Sequence, residues 1–114
     1  MFNSTLNNNT TGTGVFDLTG VVSYSGDLVA GQQLNLMGVS GIHQTTTLGA
    51  DFTNHSTVNM DSNVDGFDVV MARAGSITNS ASGTINFGGL SSSNSSDRDL
   101  RADSFINDLS LIHI

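Results

Sequence analysis

Apolar and polar residues alternate in three short stretches of the chain: Leu34-Asn35-Leu36, Val58-Asn59-Met60 and Ile85-Asn86-Phe87. A period of two is that of a strand with one covered face, so the apolar pair of each stretch is expected inside and the Asn outside. The stretches are also copies of one another. Gln33-Leu34-Asn35-Leu36 matches Thr57-Val58-Asn59-Met60 and Thr84-Ile85-Asn86-Phe87 at spacings of 24 and 27, the excess lying in two extra residues around Ala81 and Ser82. A second block precedes each copy. Tyr24-Ser25-Gly26-Asp27-Leu28 aligns with Leu48-Gly49-Ala50-Asp51-Phe52 and Arg73-Ala74-Gly75-Ser76-Ile77, which puts Leu28, Phe52 and Ile77 in one column at spacings of 24 and 25. Gly41-Ile42 pairs with Gly66-Phe67. Weaker outer matches set Gly14-Val15 against Gly38-Val39, and Phe105-Ile106-Asn107 against Ile77-Thr78-Asn79.

One such unit has too few apolar side chains to fold alone. Stacked units cover each other's apolar columns and satisfy each other's backbone groups, which is the logic of a solenoid. The expected fold is all-β, a parallel β-solenoid of about three to four degenerate rungs of 24–27 residues. Residues 1–23 then form an N-terminal polar segment and partial first rung, and residues 24–108 the repeats. The competing fold is an antiparallel sandwich or roll. It needs tight hairpin signals, and only Ser25-Gly26-Asp27 and Asp65-Gly66 come near one.

Composition agrees with short strands and turns. Every acidic residue is Asp, every basic one Arg, and the strong helix formers Glu and Lys are missing. Gly, Ser, Thr and Asn make up nearly half the chain, beside Val, Ile and Phe. A net charge of −7, with only Arg73, Arg98 and Arg101 basic, argues against a nucleic-acid partner, since phosphate binding needs clustered cations. The absence of Cys removes disulfide frameworks and thiolate metal sites. No run reaches the roughly 18 apolar residues of a membrane helix. Residues 1–13 lack the basic start and apolar stretch of a signal peptide, so an export signal is expected upstream. At the other end, Leu109-Ser110-Leu111-Ile112-His113-Ile114 resembles the in-frame translation of a transposase mosaic-end adapter used in sequencing libraries. Native sequence is accordingly expected to stop near Asp108, with 109–114 a non-native tail of a fragment.

Gly75-Ser76-Ile77-Thr78-Asn79-Ser80, followed by Gly83-Thr84-Ile85-Asn86-Phe87-Gly88-Gly89, resembles the passenger region of bacterial autotransporters and related filamentous adhesins over roughly residues 24–108. Such proteins repeat a G-x-I-x-N … G-T-I-N phrase along a β-helix. Asn54 keeps the phrase; the first copy has Ala30-Gly31 there and departs from it. The resemblance implies a right-handed coil, a secreted or cell-surface location, and adhesion rather than catalysis.

Asp61-Ser62-Asn63-Val64-Asp65-Gly66 opens like the D-x-N-x-D-G of a calcium loop, whose alternate oxygens converge on a hard cation while Gly permits the turn. Asp61, Asn63 and Asp65 are the candidate metal ligands. The twelfth position is Ala72 and the chain has no Glu to bind bidentately, although Asp68 could contribute. The alternative is an Asx-rich corner with no ion, and no other cofactor is expected. Asp27 and Asp51 share a column, where paired carboxylates could work as acid and base; capping of local backbone is the simpler role. His43 and His55 occupy different columns and have no ligand-spaced partner. Thr45-Thr46-Thr47 builds no Thr array, because 24 or 25 residues on lie Val69 to Ala72. Ser91 to Ser96 reads as a solvated loop.

The expectation is therefore a structural, adhesive segment with no catalysis of its own, and a host-surface protein or glycan as partner. It inserts in no membrane, and end-to-end self-association is possible. The alternatives are a lyase or hydrolase acting on carbohydrate on the same scaffold, recognised by a cleft gathering Asp51 and Arg73, or a phage tail-spike fragment.

Overall fold

The computed structural model describes residues 3–38, 42–49, 52–62, 69–88, 98–108 and 111–113. Eleven strands are found there and no helix: β1 Thr5–Asn7, β2 Gly14–Leu18, β3 Val21–Ser25, β4 Gln32–Gly38, β5 Gln44–Leu48, β6 Phe52–Asn54, β7 Thr57–Ser62, β8 Val69–Asn79, β9 Thr84–Phe87, β10 Arg98–Asn107 and β11 Leu111–His113. They form two sheets. One has the order β1-β3-β5-β8-β10 with β6 also on β8, the other β2-β4-β7-β9-β11. The described pairings are all parallel. The protein is thus all-β with parallel sheets, and the antiparallel alternative is excluded for these strands.

Register turns the repeat into geometry. Thr5, Ser23, Thr47, Ala72 and Arg101 form one cross-strand column of the first sheet. Phe16, Leu34, Val58, Ile85 and Ile112 form a column of the second. From the first column to the second the chain advances eleven residues in four of the five levels (Thr5 to Phe16, Ser23 to Leu34, Thr47 to Val58, Arg101 to Ile112). It advances thirteen from Ala72 to Ile85, the level that contains Ala81 and Ser82. The return is variable: seven residues from Phe16 to Ser23, thirteen from Leu34 to Thr47, fourteen from Val58 to Ala72 and sixteen from Ile85 to Arg101.

Strand alternation decides what is covered. Leu34 and Leu36 are buried while Asn35 between them is half-buried, as are Val58 and Met60 about Asn59. Leu18, Val22, Tyr24, Leu48, Phe52, Met71, Ile77 and Ile85 complete most of the core, with Tyr24 and Phe52 edge to face at 5.8 Å. The columns expected for Leu34/Val58/Ile85, Leu36/Met60/Phe87 and Asn35/Asn59/Asn86 are those observed, and Phe105 stands opposite Ile77 as the outer match requires.

Several sequence expectations need correction. Leu28 lies opposite Asn54, not Phe52: it donates to Thr53 O and accepts from His55 N. The alignment had matched residue type, whereas six residues separate Leu48 from Asn54 and four separate Tyr24 from Leu28. Gly14 and Val15 pair with Gln32 and Gln33 rather than Gly38 and Val39, because the first return is the shortest. Each sheet carries five strands along its main path, because residues 1–23 supply a strand to each sheet and 111–113 pair with β9. Residues 41, 66 and 67 of the Gly41-Ile42/Gly66-Phe67 match lie outside the described residues.

Candidate functional site

Two ladders of carboxamide side chains run across the strands. On the outside of the second sheet, Asn35 Nδ2 donates to Asp17 Oδ1 at 2.7 Å, Asn59 to Asn35 Oδ1 at 2.8 Å and Asn86 to Asn59 Oδ1 at 2.7 Å. The other ladder begins inside and ends at exposed Asn107. Asn54 Nδ2 donates to Asn79 Oδ1 at 2.8 Å, and Asn79 Nδ2 to Asn107 Oδ1 at 3.1 Å. Asn54 and Asn79 are fully buried. They also bond the turn between the sheets: Asn54 Nδ2 to Thr84 O, Asn79 Nδ2 to Gly83 O, and Ser56 N to Asn54 Oδ1. The Asn of the G-x-I-x-N phrase therefore fixes the corner at which the chain changes sheet. Gly83 is required there, since a Cβ would collide with Asn79 Oδ1 and Asn54 O.

A third polar group closes the N-terminal levels. Asn8 Nδ2 is within hydrogen-bond reach of Tyr24 Oη (2.8 Å), Gln32 Oε1 (2.8 Å) and Asp27 O (3.0 Å), and Gln32 Nε2 donates to Thr10 O and Gly12 O. All three side chains are buried. Burial pushes the Tyr24 phenol above its ordinary value; the bond from Asn8 opposes this and the charge of Asp27 adds to it. Sequence reading missed Asn8 and Gln32, because amides that pair 24 residues apart leave no periodic mark.

Of the candidate metal ligands, Asp61 is fully buried near the end of β7, in register with Met37. Asn63 and Asp65 lie outside the described residues, as do Gly66 and Asp68. Among the described residues no three His or Asp side chains gather as a metal site would require. Asp27 accepts from Thr53 N at 2.9 Å, a bond to the neighbouring strand level rather than the local backbone cap expected, and the register of Leu28 with Asn54 places it beside Thr53 rather than Asp51. Asp51 is outside the described residues. His43 and His55 stand apart on different levels. Thr45 and Thr47 are flanked in register by Val21 and Val70 and by Ser23 and Ala72, so no Thr array forms.

A shallow open groove on the first sheet is lined by Thr47, Ala72, Arg73, Arg101, Ala102 and Asp103. Arg73 Nη1 donates to Leu48 O at 3.3 Å, and its guanidinium lies over Gly75, where a Cβ would come within 2.7 Å of Nη2. Exposed Arg101 pairs with half-buried Asp99 at 2.7 Å. No family model, no curated protein and no solved structure matches this chain.

Proposed function

We propose that this chain is a structural, adhesive segment of a right-handed parallel β-solenoid, secreted or displayed on a bacterial surface, with no catalysis of its own and no resident cofactor. The observation that carries the reading is the strand connectivity. Successive levels alternate between two parallel sheets through a corner of nearly constant length, and a ladder from buried Asn54 and Asn79 to exposed Asn107 repeats at that corner. A stack of this kind offers wide outer faces and little enclosed space, which suits contact with a large partner better than turnover of a small one. Its partner is a protein or glycan of a host surface.

The test is adhesion. Beads coated with the protein should be retained on epithelial cells more than beads coated with an unrelated acidic all-β protein, and soluble protein should compete. Retention no better than the control would overturn the reading. A carbohydrate-active enzyme fragment is the second reading, favoured by one observation, the grouping of Arg73, Arg101 and Asp103 in a groove. Release of reducing ends from acidic polysaccharides, lost in Arg73→Gln, would replace the adhesive reading by the enzymatic one.

A further inference from the structure

We propose that the groove on the first sheet lined by Arg73, Arg101 and Asp103 is the contact site of the adhesive segment, and that it takes a neutral, hydroxyl-rich saccharide. The inference rests on the adhesive reading above and adds the surface and the chemical class of the partner.

Three features meet there. The first is charge: two of the three arginines of a chain whose net charge is −7 line one groove of about 380 Å³, a volume in the range of small-ligand sites. The second is that the protein itself holds both guanidiniums. Arg73 donates to Leu48 O, and its Nη2, Cζ and Nε lie within 2.9 Å of where a Cβ on Gly75 would stand, so only glycine lets the guanidinium come this close to the backbone. Arg101 is oriented by Asp99 through Nη2 at 2.7 Å, a bond that uses one of its five N–H donors. A side chain already fixed loses less freedom on binding. The third feature is a bulge. Ala102 pairs with Arg73 but Ser104 with Ser76, so Asp103 alone stands against residues 74 and 75. Such irregularities re-aim a side chain and gather beside functional sites, and exposed Asp103 lines the groove.

The set of donors and acceptors decides the class of ligand. Arg only donates, ionised Asp only accepts, and Thr does both. Arg73 and Arg101 are balanced by Asp99 and Asp103, and the chain as a whole is acidic, so a polyanion gains no net attraction here. A sugar hydroxyl both donates and accepts, and neighbouring hydroxyls offer paired positions to the fork of a guanidinium or a carboxylate. Thr47, Ala72 and Ala102 add methyl groups against which the C–H face of a sugar ring can lie.

Biolayer interferometry of the full-length protein over surfaces carrying glucan, mannan, galactan or xylan is the test, with polygalacturonate and heparin surfaces beside them. The protein should bind at least one neutral polysaccharide, with an affinity that salt leaves unchanged. Arg101→Gln and Asp103→Asn, both at exposed positions that the fold does not need, should each weaken that binding about tenfold. Val21→Ser, exposed on the same sheet but outside the groove, should bind as the parent does. Binding to polygalacturonate or heparin alone, falling with salt and strengthened by Asp103→Asn, would overturn the neutral saccharide in favour of an anion site. Failure to bind any surface, or binding that both groove variants retain, would overturn the groove as the contact site. Should coated beads still be retained on epithelial cells in that case, the adhesive reading stands and only its assignment to this groove falls.

Discussion

The two carboxamide ladders have the same chemistry and differ in their access to water, which makes Asn79→Ala against Asn86→Ala a sharp comparison. Asn79 is fully buried, and its hydrogen bonds include one from Asn54 at 2.8 Å, one to Asn107 at 3.1 Å and one to Gly83 O at 3.4 Å. The longest is weak, so the bonds contribute about 2 kcal/mol net at roughly 1 kcal/mol for each good one. Truncation also strands one buried N–H of Asn54, whose other bond to Thr84 O survives, adding about 1 kcal/mol or more. The expected loss is about 3–4 kcal/mol, a large share of the 5–15 kcal/mol typical of a small domain. Asn86 is half-buried and donates only to Asn59 Oδ1 within its ladder, an acceptor that water can reach, so its truncation should cost about 0.5–1 kcal/mol. Urea titration followed by far-UV circular dichroism, at low protein concentration, reads both values. With a slope near 1–3 kcal/mol per molar, the Asn79 variant should lose at least about 1 M in midpoint, and the Asn86 variant well under half as much. Equal shifts, or a larger one for Asn86→Ala, would refute the claim that the inner ladder holds the corner between the sheets.

Other outcomes follow from the same geometry. Tyr24 is the only tyrosine, and its pKa is raised chiefly by burial. Its neutral form therefore stabilises the fold fully below the unfolded value of about 10, and that contribution is lost as pH rises through the folded value. Absorbance at 295 nm should show a midpoint above about 10 that returns to about 10 in urea; a native midpoint at the free value would contradict the burial of the phenol. Deleting the exposed pair Ala81-Ser82 restores the eleven-residue corner and should change stability by no more than about 1 kcal/mol, whereas deleting Asn59 reverses every later side chain of its strand and should abolish cooperative melting. Millimolar calcium against chelator should leave the melting midpoint essentially unmoved, because half a loop without a bidentate Glu binds weakly. A rise of several degrees that disappears in Asp61→Ala would instead make Asp61, Asn63 and Asp65 ligands.

What the sequence discloses and what it hides separate along one physical line. Leu34, Val58 and Ile85, with their neighbours Asn35, Asn59 and Asn86, were legible because period-two alternation and a repeat specify the same positions twice. Leu28 was not, since a buried Leu can be matched to Phe52 by type while backbone bonds set it against Asn54. Gln44 and Thr46 are buried inside a run of polar residues, Gln44-Thr45-Thr46-Thr47, whose alternation is invisible because Thr occupies either face of a strand. Asn8 escaped for another reason. Its burial comes from Tyr24 and Gln32, neither of which is near it in sequence, and no local pattern encodes that meeting.

The two corners of the stack are under different constraints, and this bears on where specificity resides. The corner from the first sheet to the second keeps eleven residues in four levels and is held from within by Asn54 and Asn79. The return path grows from seven residues to thirteen, fourteen and sixteen, yet the strands on either side of it stay in register. Lengthening a loop costs little, about 0.6 kcal/mol for each doubling, so these returns can change without disturbing the ladders. Along the sequence, Asn63 and Asp65 of the candidate metal ligands fall between Val58 and Ala72, while Asp61 belongs to strand β7 and Asp27 to the corner between Ser23 and Leu34. Loops carried on a rigid scaffold are the usual seat of recognition. Exchanging the returns between levels, with the eleven-residue corners left as they are, should therefore leave the fold intact, and it is the experiment by which the adhesive reading proposed above would be tested for partner preference.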